Sequence, residues 1–528
     1  MAIAILGIIG GFATPVLLQE HLPEQQYLLT YVLVLDLGVL GLATLRNWQW
    51  FTLLALIGSL ALFGMWAVEF DPQENLLLGQ IAITLIFLVF VGATTLFHII
   101  WRRGPGPADQ LLMVLNAGAY FGISYGLLWD EFRPWIGGFT LLLALFYGGI
   151  GYLAMKRSKE NVNLSLMALG IALVFVTIAV PVQLGGPWVS VAWAVEGTVL
   201  IWLSFALKIW QLRWFGVGVS AIFAAWLLFI DTPAALTADI RPLFNVYMPA
   251  YLIGIIATFV AAYILRRHRS ELGERESDLF TAFLVAGTAM FTIAVPVQVG
   301  DEWIAFTWAV EAVALVWLSF RLGIHQLRMS AIGVFVTLSI RLLVFDTLVD
   351  LEGFRLMLNY RMMAFASGVV ALYVVVFLLG RNRDSAQEWE KEILLPIYLL
   401  GASFLTLYVL SAEVIASVDS GIVDATGQTA DFVKSLGLSL LWAVYAIIGL
   451  VVGIIKRWRM VRLAALALLA IPILKLFLVD SFELERGYRV AAFLSLGAIL
   501  LAGGFFYQRY STAIRGFLFD EQQNATTS

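Results

Sequence analysis

The chain has 528 residues, of which 61% are hydrophobic and 13% are charged, and its mean hydropathy is +0.91. Soluble proteins of this length carry about a quarter charged residues, so the composition predicts an integral membrane protein. The net charge of -4 indicates no nucleic-acid partner, and the absence of cysteine excludes disulfides, thiolate catalysis and cysteine-ligated metals.

Apolar runs of about 18–25 residues, the length that crosses about 30 Å of hydrocarbon, recur along the chain. The first run lacks a basic segment and a cleavage site, which favours a membrane helix over a signal peptide, and its abrupt start leaves open whether further sequence precedes it. We expect an all-α polytopic membrane bundle of about eighteen helices, near residues 1–18, 27–45, 48–67, 75–101, 109–128, 134–154, 163–183, 188–207, 211–230, 245–265, 277–300, 303–321, 327–346, 359–379, 392–415, 432–455, 461–479 and 490–507.

Lysine and arginine concentrate on one predicted side of the membrane. With the N-terminus inside, the inside loops hold 23 of the 32 basic residues, among them Arg213 and Arg328, which match at an offset of 115 residues. The outside loops hold seven, among them Arg361, while Arg341 and Lys475 fall within helices. Basic residues favour cytoplasmic loops. The bias therefore predicts that both termini are cytoplasmic.

Two stretches, residues 177–205 and 292–320, are identical at 18 of 29 aligned positions, at an offset of 115 residues. Both contain TIAVPVQ followed by WAVE, and both begin on the same predicted side of the membrane. This recurrence predicts parallel repeats of four helices each. The motif residues that match are Pro181 with Pro296, Trp188 with Trp303, Trp193 with Trp308, and Glu196 with Glu311.

A third, more diverged copy is predicted toward the C-terminus, around LLWAVYAIIGLVVG and VLSAEVI. The alignment pairs Trp442 with Trp308, Tyr445 with Glu311, Lys475 with Arg341, and Glu413 with the neighbourhood of Gln298. The predicted organisation is about six N-terminal helices (1–160), repeat 1 (161–269), repeat 2 (270–383), and repeat 3 with a cytoplasmic C-terminal tail (384–528).

Six polar or charged residues in or near these apolar runs form the candidate site: Glu196, Glu311, Arg341, Glu413, Tyr445 and Lys475. A charge at the bilayer centre costs from about 3 to more than 10 kcal/mol, so such residues usually face the bundle interior and pair. Glu196 follows Trp188 by eight residues, which places it about 12 Å below the outer helix end. Glu311 and Arg341 are expected to pair, whereas Trp226 takes the basic position in repeat 1 and leaves Glu196 without a cation.

Pro181 and Pro296 lie near the outer ends of their predicted helices. A proline there frees a backbone carbonyl and kinks the helix. The kink can be filled by packing, which is the simpler interpretation, or it can expose binding groups at membrane depth.

Motifs of familiar chemistry are missing from the sequence. It has no G-x-x-x-x-G-K-[ST] and no G-x-S-x-G, and its four histidines lie on different segments. We therefore predict no catalytic residue, no metal site and no cofactor.

Several segments resemble a family of bacterial polytopic membrane proteins called domain of unknown function 2339. They include GGFATPVLL, the WAVE units, LNYRMMAF, and an ending that runs from LLWAVYAIIGLVVGI to AAFLSLGAILLAGGFFYQRY. The resemblance implies a multi-pass protein of the bacterial cytoplasmic (inner) membrane and no particular activity. Members are often longer, with further N-terminal helices and a cytosolic segment.

Inter-helix pairs that fix register in a large bundle are the simplest interpretation of the six candidate residues. Among functions, we favour a transporter- or channel-like protein whose outward-facing polar cavity handles a polar or anionic solute. One alternative is a membrane-embedded enzyme acting on envelope lipid or glycan through outer-loop acids such as Glu20, Glu24 and Asp71. Another is a scaffold for envelope assembly. The expected partners are membrane lipid, a small polar solute, or an envelope protein.

Overall fold

The computed structural model describes residues 2–17, 25–45, 49–96, 106–157, 162–238, 241–348, 354–423, 428–455 and 458–478, and these are helical throughout, apart from turns and loops. Helices satisfy every interior backbone group within the segment, as hydrocarbon requires. In chain order they are α1 (Ala2–Leu17), α2 (Gln25–Leu45), α3 (Gln49–Glu69), α4 (Leu76–Val91), α5 (Pro107–Phe132), α6 (Ile136–Arg157), α7 (Val162–Gln183), α8 (Trp188–Ala206), α9 (Trp210–Trp226), α10 (Thr232–Thr237), α11 (Met248–Arg267), α12 (Leu279–Gln298), α13 (Ile304–Leu322), α14 (His325–Val344), α15 (Tyr360–Arg381), α16 (Leu395–Asp419), α17 (Gln428–Ile455) and α18 (Arg459–Leu478).

Thirteen stretches of the described residues are long and apolar enough to cross a membrane. Every predicted run up to residue 479 overlaps a helix, yet the prediction of eighteen spans is not supported. Helices α1 and α2 contribute only shorter apolar segments, α18 is not among the thirteen, and the run at 490–507 lies outside the described residues. Helices α5 and α6 form one continuous stretch, Pro107–Lys156, because only a 3₁₀ turn joins them. The chain is an integral, multi-pass membrane protein.

The N-terminal unit comprises Met1–Pro233 and Leu252–Ala257. Its apolar core draws on α1 to α7, with Trp66, Phe90 and Tyr147 among its most deeply buried side chains. Helix α6 packs along α7, and α8 packs along α9. A Cβ atom on Gly216 would lie 2.8 Å from the carbonyl oxygen of Gly197, so α8 and α9 approach closely because both positions are glycine.

The C-terminal unit comprises Ala234–Tyr251 and Thr258–Ser528. Its described core is built by α12 to α16, and α13 packs along both α14 and α15. Ala312 and Ala331 stand where the N-terminal unit has its two close-approach glycines, and both are fully buried. The predicted boundaries after residues 160, 269 and 383 remain predictions.

The turns that follow α8 and α13 adopt the same conformation. Lys208 and Gly323 have φ of 57° and 65°, a region that favours glycine. The isoleucine that comes next donates its N–H to a serine carbonyl in each case, Ile209 to Ser204 at 2.9 Å and Ile324 to Ser319 at 3.0 Å. The two helix pairs therefore reverse direction through matching hydrogen bonds.

Candidate functional site

The first candidate cluster, called the Thr177 cluster, joins α7 and α8 through Thr177, Pro181, Trp193 and Glu196. Pro181 has no N–H, so the Thr177 carbonyl four residues earlier loses its helical partner. The Trp193 indole N–H donates to that carbonyl at 2.9 Å, and the Thr177 hydroxyl donates to Glu196 Oε1 at 2.7 Å. The freed carbonyl expected from the sequence is present, and a tryptophan of the next helix satisfies it.

The second candidate cluster, called the Thr292 cluster, joins α12 and α13 through Thr292, Pro296, Trp308 and Glu311. The Trp308 indole N–H donates to the Thr292 carbonyl at 2.9 Å. The Thr292 hydroxyl donates to Glu311 Oε1 at 2.7 Å. Both distances equal those of the Thr177 cluster, in the other unit of the protein.

Each cluster leaves one carboxyl oxygen without a partner. Oε2 of Glu196 and Oε2 of Glu311 are buried and accept no hydrogen bond, and neither carboxyl has an ion pair among the described residues. An ionised carboxylate in this setting is costly unless it is paired. A change in the protonation of either carboxyl would therefore break no ion pair among the described residues.

A related arrangement in the N-terminal unit was not among the predicted site residues. Pro15 frees the carbonyl of Gly11, and the Tyr31 hydroxyl donates to that carbonyl at 2.8 Å. Nearby in sequence, the buried Asp36 accepts a 2.5 Å hydrogen bond from Ser59, and its other oxygen has no partner. The sequence shows it as a weaker echo of the repeat, in which FATPVLL in one apolar run is followed by Asp36 in the next.

Arg341 does not form the expected pair with Glu311. Its guanidinium makes ion pairs with Asp301 at 2.8 Å and with Asp346 at 3.0 Å. The Tyr360 hydroxyl also donates to Asp346 at 2.8 Å. Arg341 therefore bridges Asp346, which follows α14, and Asp301, which precedes α13.

Asp346 lies just outside the helix and is almost completely buried. Burial raises the pKa of its carboxyl above the usual value, and the contacts from Tyr360 and Arg341 oppose that rise. The equivalent residue in the N-terminal unit, Asp231, accepts a short hydrogen bond from Ser190 and has no ion pair among the described residues. The two units thus hold this aspartate by a neutral donor in one case and by a cation in the other.

Glu413 belongs to a buried ion pair with Arg361. Arg361 Nη2 lies 2.7 Å from Glu413 Oε1, and both side chains are at most 5% exposed. Asn359 donates to both carboxylate oxygens at 2.9 Å, and the Met357 N–H donates to Oε2 at 2.9 Å. Arg361, expected in an outer loop, instead lies in the first turn of α15.

A neutral version of this contact precedes it in the chain. Asn245 donates to the side-chain oxygen of Gln298 at 3.0 Å, and the Leu243 N–H donates to the Gln298 carbonyl at 2.9 Å. Leu243 and Met357 have φ of 62° and 63°. Gln298 and Glu413 thus share two kinds of partner, an asparagine and a residue in the left-handed region, and their correspondence remains a prediction.

The remaining candidate residues make separate contacts. The Tyr445 hydroxyl donates to the Ser403 carbonyl at 3.2 Å. Lys475 donates to the Ser435 carbonyl and to the Ser439 hydroxyl, each at 3.1 Å. Tyr445, aligned with Glu311, is therefore bonded to α16, and Lys475, aligned with Arg341, is bonded to α17.

The motif tryptophans divide into two groups. Trp442 donates its N–H to the Ser411 hydroxyl at 2.9 Å, so it bridges neighbouring helices as Trp193 and Trp308 do. Trp188 and Trp303 are 57% and 48% exposed at the starts of their helices, as expected for tryptophans anchored at a membrane interface.

Two buried arginines were not predicted as part of any site. Arg328 forms a buried ion pair with Glu390 at 2.7 Å and lies over the ring of Phe320. Arg213, at the equivalent position of the N-terminal unit, lies over the ring of Phe205. Their match at an offset of 115 was visible in the sequence, but both were assigned to loops.

The described residues contain no group of three or more histidine, aspartate or glutamate side chains arranged to hold a metal ion. No curated protein and no solved structure matches the chain. The family described as "Predicted membrane protein (DUF2339)" matches residues 1–232 and 323–510. The first matched stretch includes the Thr177 cluster, and the Thr292 cluster lies between the two. Since the match covers most of its length, the chain belongs to the DUF2339 family of membrane proteins.

Proposed function

We propose that this protein is a transporter of the bacterial cytoplasmic membrane that couples movement of a polar or anionic solute to protonation of Glu196 and Glu311. The observation that carries the proposal is the paired carboxyl geometry. Each glutamate lies beside a proline-interrupted helix, accepts one hydroxyl donor, and keeps one buried oxygen without a partner. Ionisable residues at membrane depth are costly, and they commonly serve as proton relays in transporters.

The contacts narrow the proton-handling groups to these two glutamates. Arg341 and Glu413 are taken up by ion pairs, and Lys475 donates to serine oxygens. Because these charged groups already have partners within the protein, they are less available to bind a solute or to exchange a proton. Glu196 in one unit and Glu311 in the other, rather than all six candidate residues, are therefore the proposed proton-handling groups.

The proposed architecture is a tandem array of four-helix repeats with both termini in the cytoplasm. The matching hydrogen bonds at an offset of 115 residues and the bias of basic residues support it. The native chain has no cysteine, so single cysteines report topology directly. In intact cells, Glu302→Cys should react with a membrane-impermeant thiol reagent and Glu271→Cys should not; the reverse labelling would contradict the orientation.

Proton movement through the purified protein tests the transport proposal. The full chain is reconstituted in liposomes that contain a pH-sensitive dye, and a potassium diffusion potential drives protons inward. Acidification is recorded without solute and with succinate or inorganic phosphate outside. We expect wild-type liposomes to acidify faster than empty ones, and Glu196→Gln and Glu311→Gln each to remove most of the excess flux.

Glutamine keeps the oxygen that accepts the threonine hydrogen bond, so both variants are expected to fold. Glu302→Gln, which changes an exposed acid in the loop before α13, is the matched control and should retain the flux. Folded glutamine variants with unchanged flux, or wild-type liposomes that behave like empty ones under all three conditions, would contradict the proposal.

A structural scaffold for envelope assembly is the second candidate, and one observation favours it. Two ion pairs, Arg328–Glu390 and Arg361–Glu413, are buried, and in each pair the charged atoms lie 2.7 Å apart. Groups arranged in this way fix how helices pack and leave no charge for a solute. A scaffold predicts wild-type liposomes without excess flux and an envelope protein that crosslinks to the full chain in cells.

A further inference from the structure

A cavity of about 670 Å³ opens in the N-terminal unit where α5 and α7 end. It is lined by Phe121, Tyr125 and Trp129 of α5 and by Arg133 of the following 3₁₀ turn. Its lining also includes the last turn of α7 with the loop after it, from Pro181 to Gly185. None of these residues belongs to an ion pair among the described residues.

The aromatic side chains of α5 contact one another in succession along the helix. Phe121, Tyr125 and Trp129 are spaced four residues apart, so they lie on one face of α5. Their ring centroids are 5.8 Å and 5.0 Å apart in succession. An apolar chain lying along this face would contact all three rings.

Arg133 supplies the polar end of the cavity. Its guanidinium carbon lies 4.5 Å from the centre of the Trp129 ring. Stacking of this kind holds the guanidinium plane while its N–H groups remain available at the edges, and that fork matches a phosphate or a carboxylate. Asp130 and Glu131 precede it in the chain but do not line the cavity.

We propose that this cavity binds an anionic amphiphile, with the phosphate or carboxylate head on Arg133 and the apolar body along Phe121, Tyr125 and Trp129. The ligand is a membrane phospholipid or a soluble anion that carries the same head group. Arginine and tryptophan at a helix end match the depth of lipid head groups. The inference does not depend on proton movement through Glu196 or Glu311.

Binding to the detergent-purified full chain tests the inference. The probes are a short-chain phosphatidylglycerol, a phosphatidylcholine with the same chains, and inorganic phosphate, each measured by titration calorimetry. We expect the anionic lipid to bind more tightly than the zwitterionic one. Loss of charge-assisted hydrogen bonds should weaken its binding about 10- to 100-fold in Arg133→Gln. Arg241→Gln, another exposed arginine that does not line the cavity, should bind as wild type does.

A cavity-filling pair gives a second, charge-independent readout. A Cβ on Gly122 or on Gly126 would meet no atom within 4 Å, but only Gly122 lines the cavity. Gly122→Leu should therefore weaken binding of the anionic lipid, and Gly126→Leu, one turn along the same helix, should not. Because neither Cβ would contact another part of the protein, both variants should fold as wild type does.

The outcomes separate the sources of the ligand and decide the inference. Phosphate that displaces the anionic lipid supports an anion site open to soluble ligands, and binding of the lipid without competition from phosphate supports a lipid site. Equal binding of the two lipids, or unchanged binding in both Arg133→Gln and Gly122→Leu, would overturn the inference.

Discussion

The Thr177 and Thr292 clusters share their own contacts and differ in how the aspartate that follows the next helix is held. In both, a tryptophan N–H satisfies the carbonyl freed by a proline, and a threonine hydroxyl holds a glutamate at 2.7 Å. Beyond them, Asp231 is held by Ser190, whereas Asp346 is held by Arg341 and Tyr360. The inner geometry therefore follows from the proline and its carbonyl, and it forms with or without a cation nearby.

A second pair of contacts shows the same contrast. Asn245 is bonded to the neutral Gln298, and Asn359 is bonded to Glu413, which is paired with Arg361. One arrangement is neutral and the other is an ion pair, yet the asparagine keeps its place. The two sites thus share the asparagine contact and differ in whether its partner carries a charge.

Removal of Arg361 should have the largest effect, because it leaves Glu413 buried without its cation. We expect Arg361→Met to destabilise the protein by about 3–5 kcal/mol, measured by unfolding in detergent. The double variant with Glu413→Gln reproduces the neutral chemistry of Gln298 and should recover most of that loss. A double variant no more stable than the single one would show that the neutral framework cannot replace the ion pair.

Arg341→Gln should cost less, about 1.5–3 kcal/mol, since it removes a charge-assisted bond but leaves Asp346 its bond from Tyr360. Because burial raises the pKa of Asp346 in the native state, the native protein binds this proton more tightly than the unfolded chain does. The stability from this group is therefore present below its unfolded pKa, about 4, and is lost as pH rises through the native value.

Without the opposing cation, the loss of stability with rising pH should be steeper in Arg341→Gln than in wild type. Melting temperatures recorded from acidic to neutral pH measure it. In the background of Asp346→Asn the effect of Arg341 on the slope should vanish. Parallel pH profiles for wild type and Arg341→Gln would contradict the role given to this pair.

Trp308→Phe tests the inner geometry itself and should cost about 1–3 kcal/mol, because it leaves the Thr292 carbonyl buried without a donor. Pro296→Ala restores a backbone N–H to that carbonyl, so the cost of Trp308→Phe should be smaller in its presence. Trp193 and Pro181 should behave alike in the other unit. The control Trp303→Phe should change stability by no more than about 0.5 kcal/mol. Equal costs of Trp308→Phe with and without Pro296 would contradict the claim that Trp308 satisfies the carbonyl freed by that proline.

The sequence was informative where a covalent property dictates a contact. Proline lacks an N–H wherever it occurs, so the freed carbonyls of Thr177 and Thr292 followed from the positions of Pro181 and Pro296 in predicted helices. The membrane class and most helix positions followed from the length of the apolar runs, because hydrocarbon admits few charged side chains. What satisfies each carbonyl required the structure, because it depends on how the next helix packs.

Side-chain partners of the arginines were harder to infer. Arg341 pairs with Asp301 and Asp346, which both lie outside the α-helices, so helical spacing alone could not identify them. Arg361 and Arg328 lie in first turns, where a hydropathy pattern cannot distinguish a loop from a buried helix end. The count of spans differed in part because only a 3₁₀ turn joins α5 to α6, so the two form one continuous stretch.

Infrared difference spectroscopy of the reconstituted protein tests the central claim, that Glu196 and Glu311 take up and release protons. Spectra recorded across a pH titration report the C=O band of protonated carboxyls. We predict that one component of this band is missing in Glu196→Gln, that another is missing in Glu311→Gln, and that both are missing in the double variant. A double variant whose difference spectrum matches that of wild type would contradict the claim.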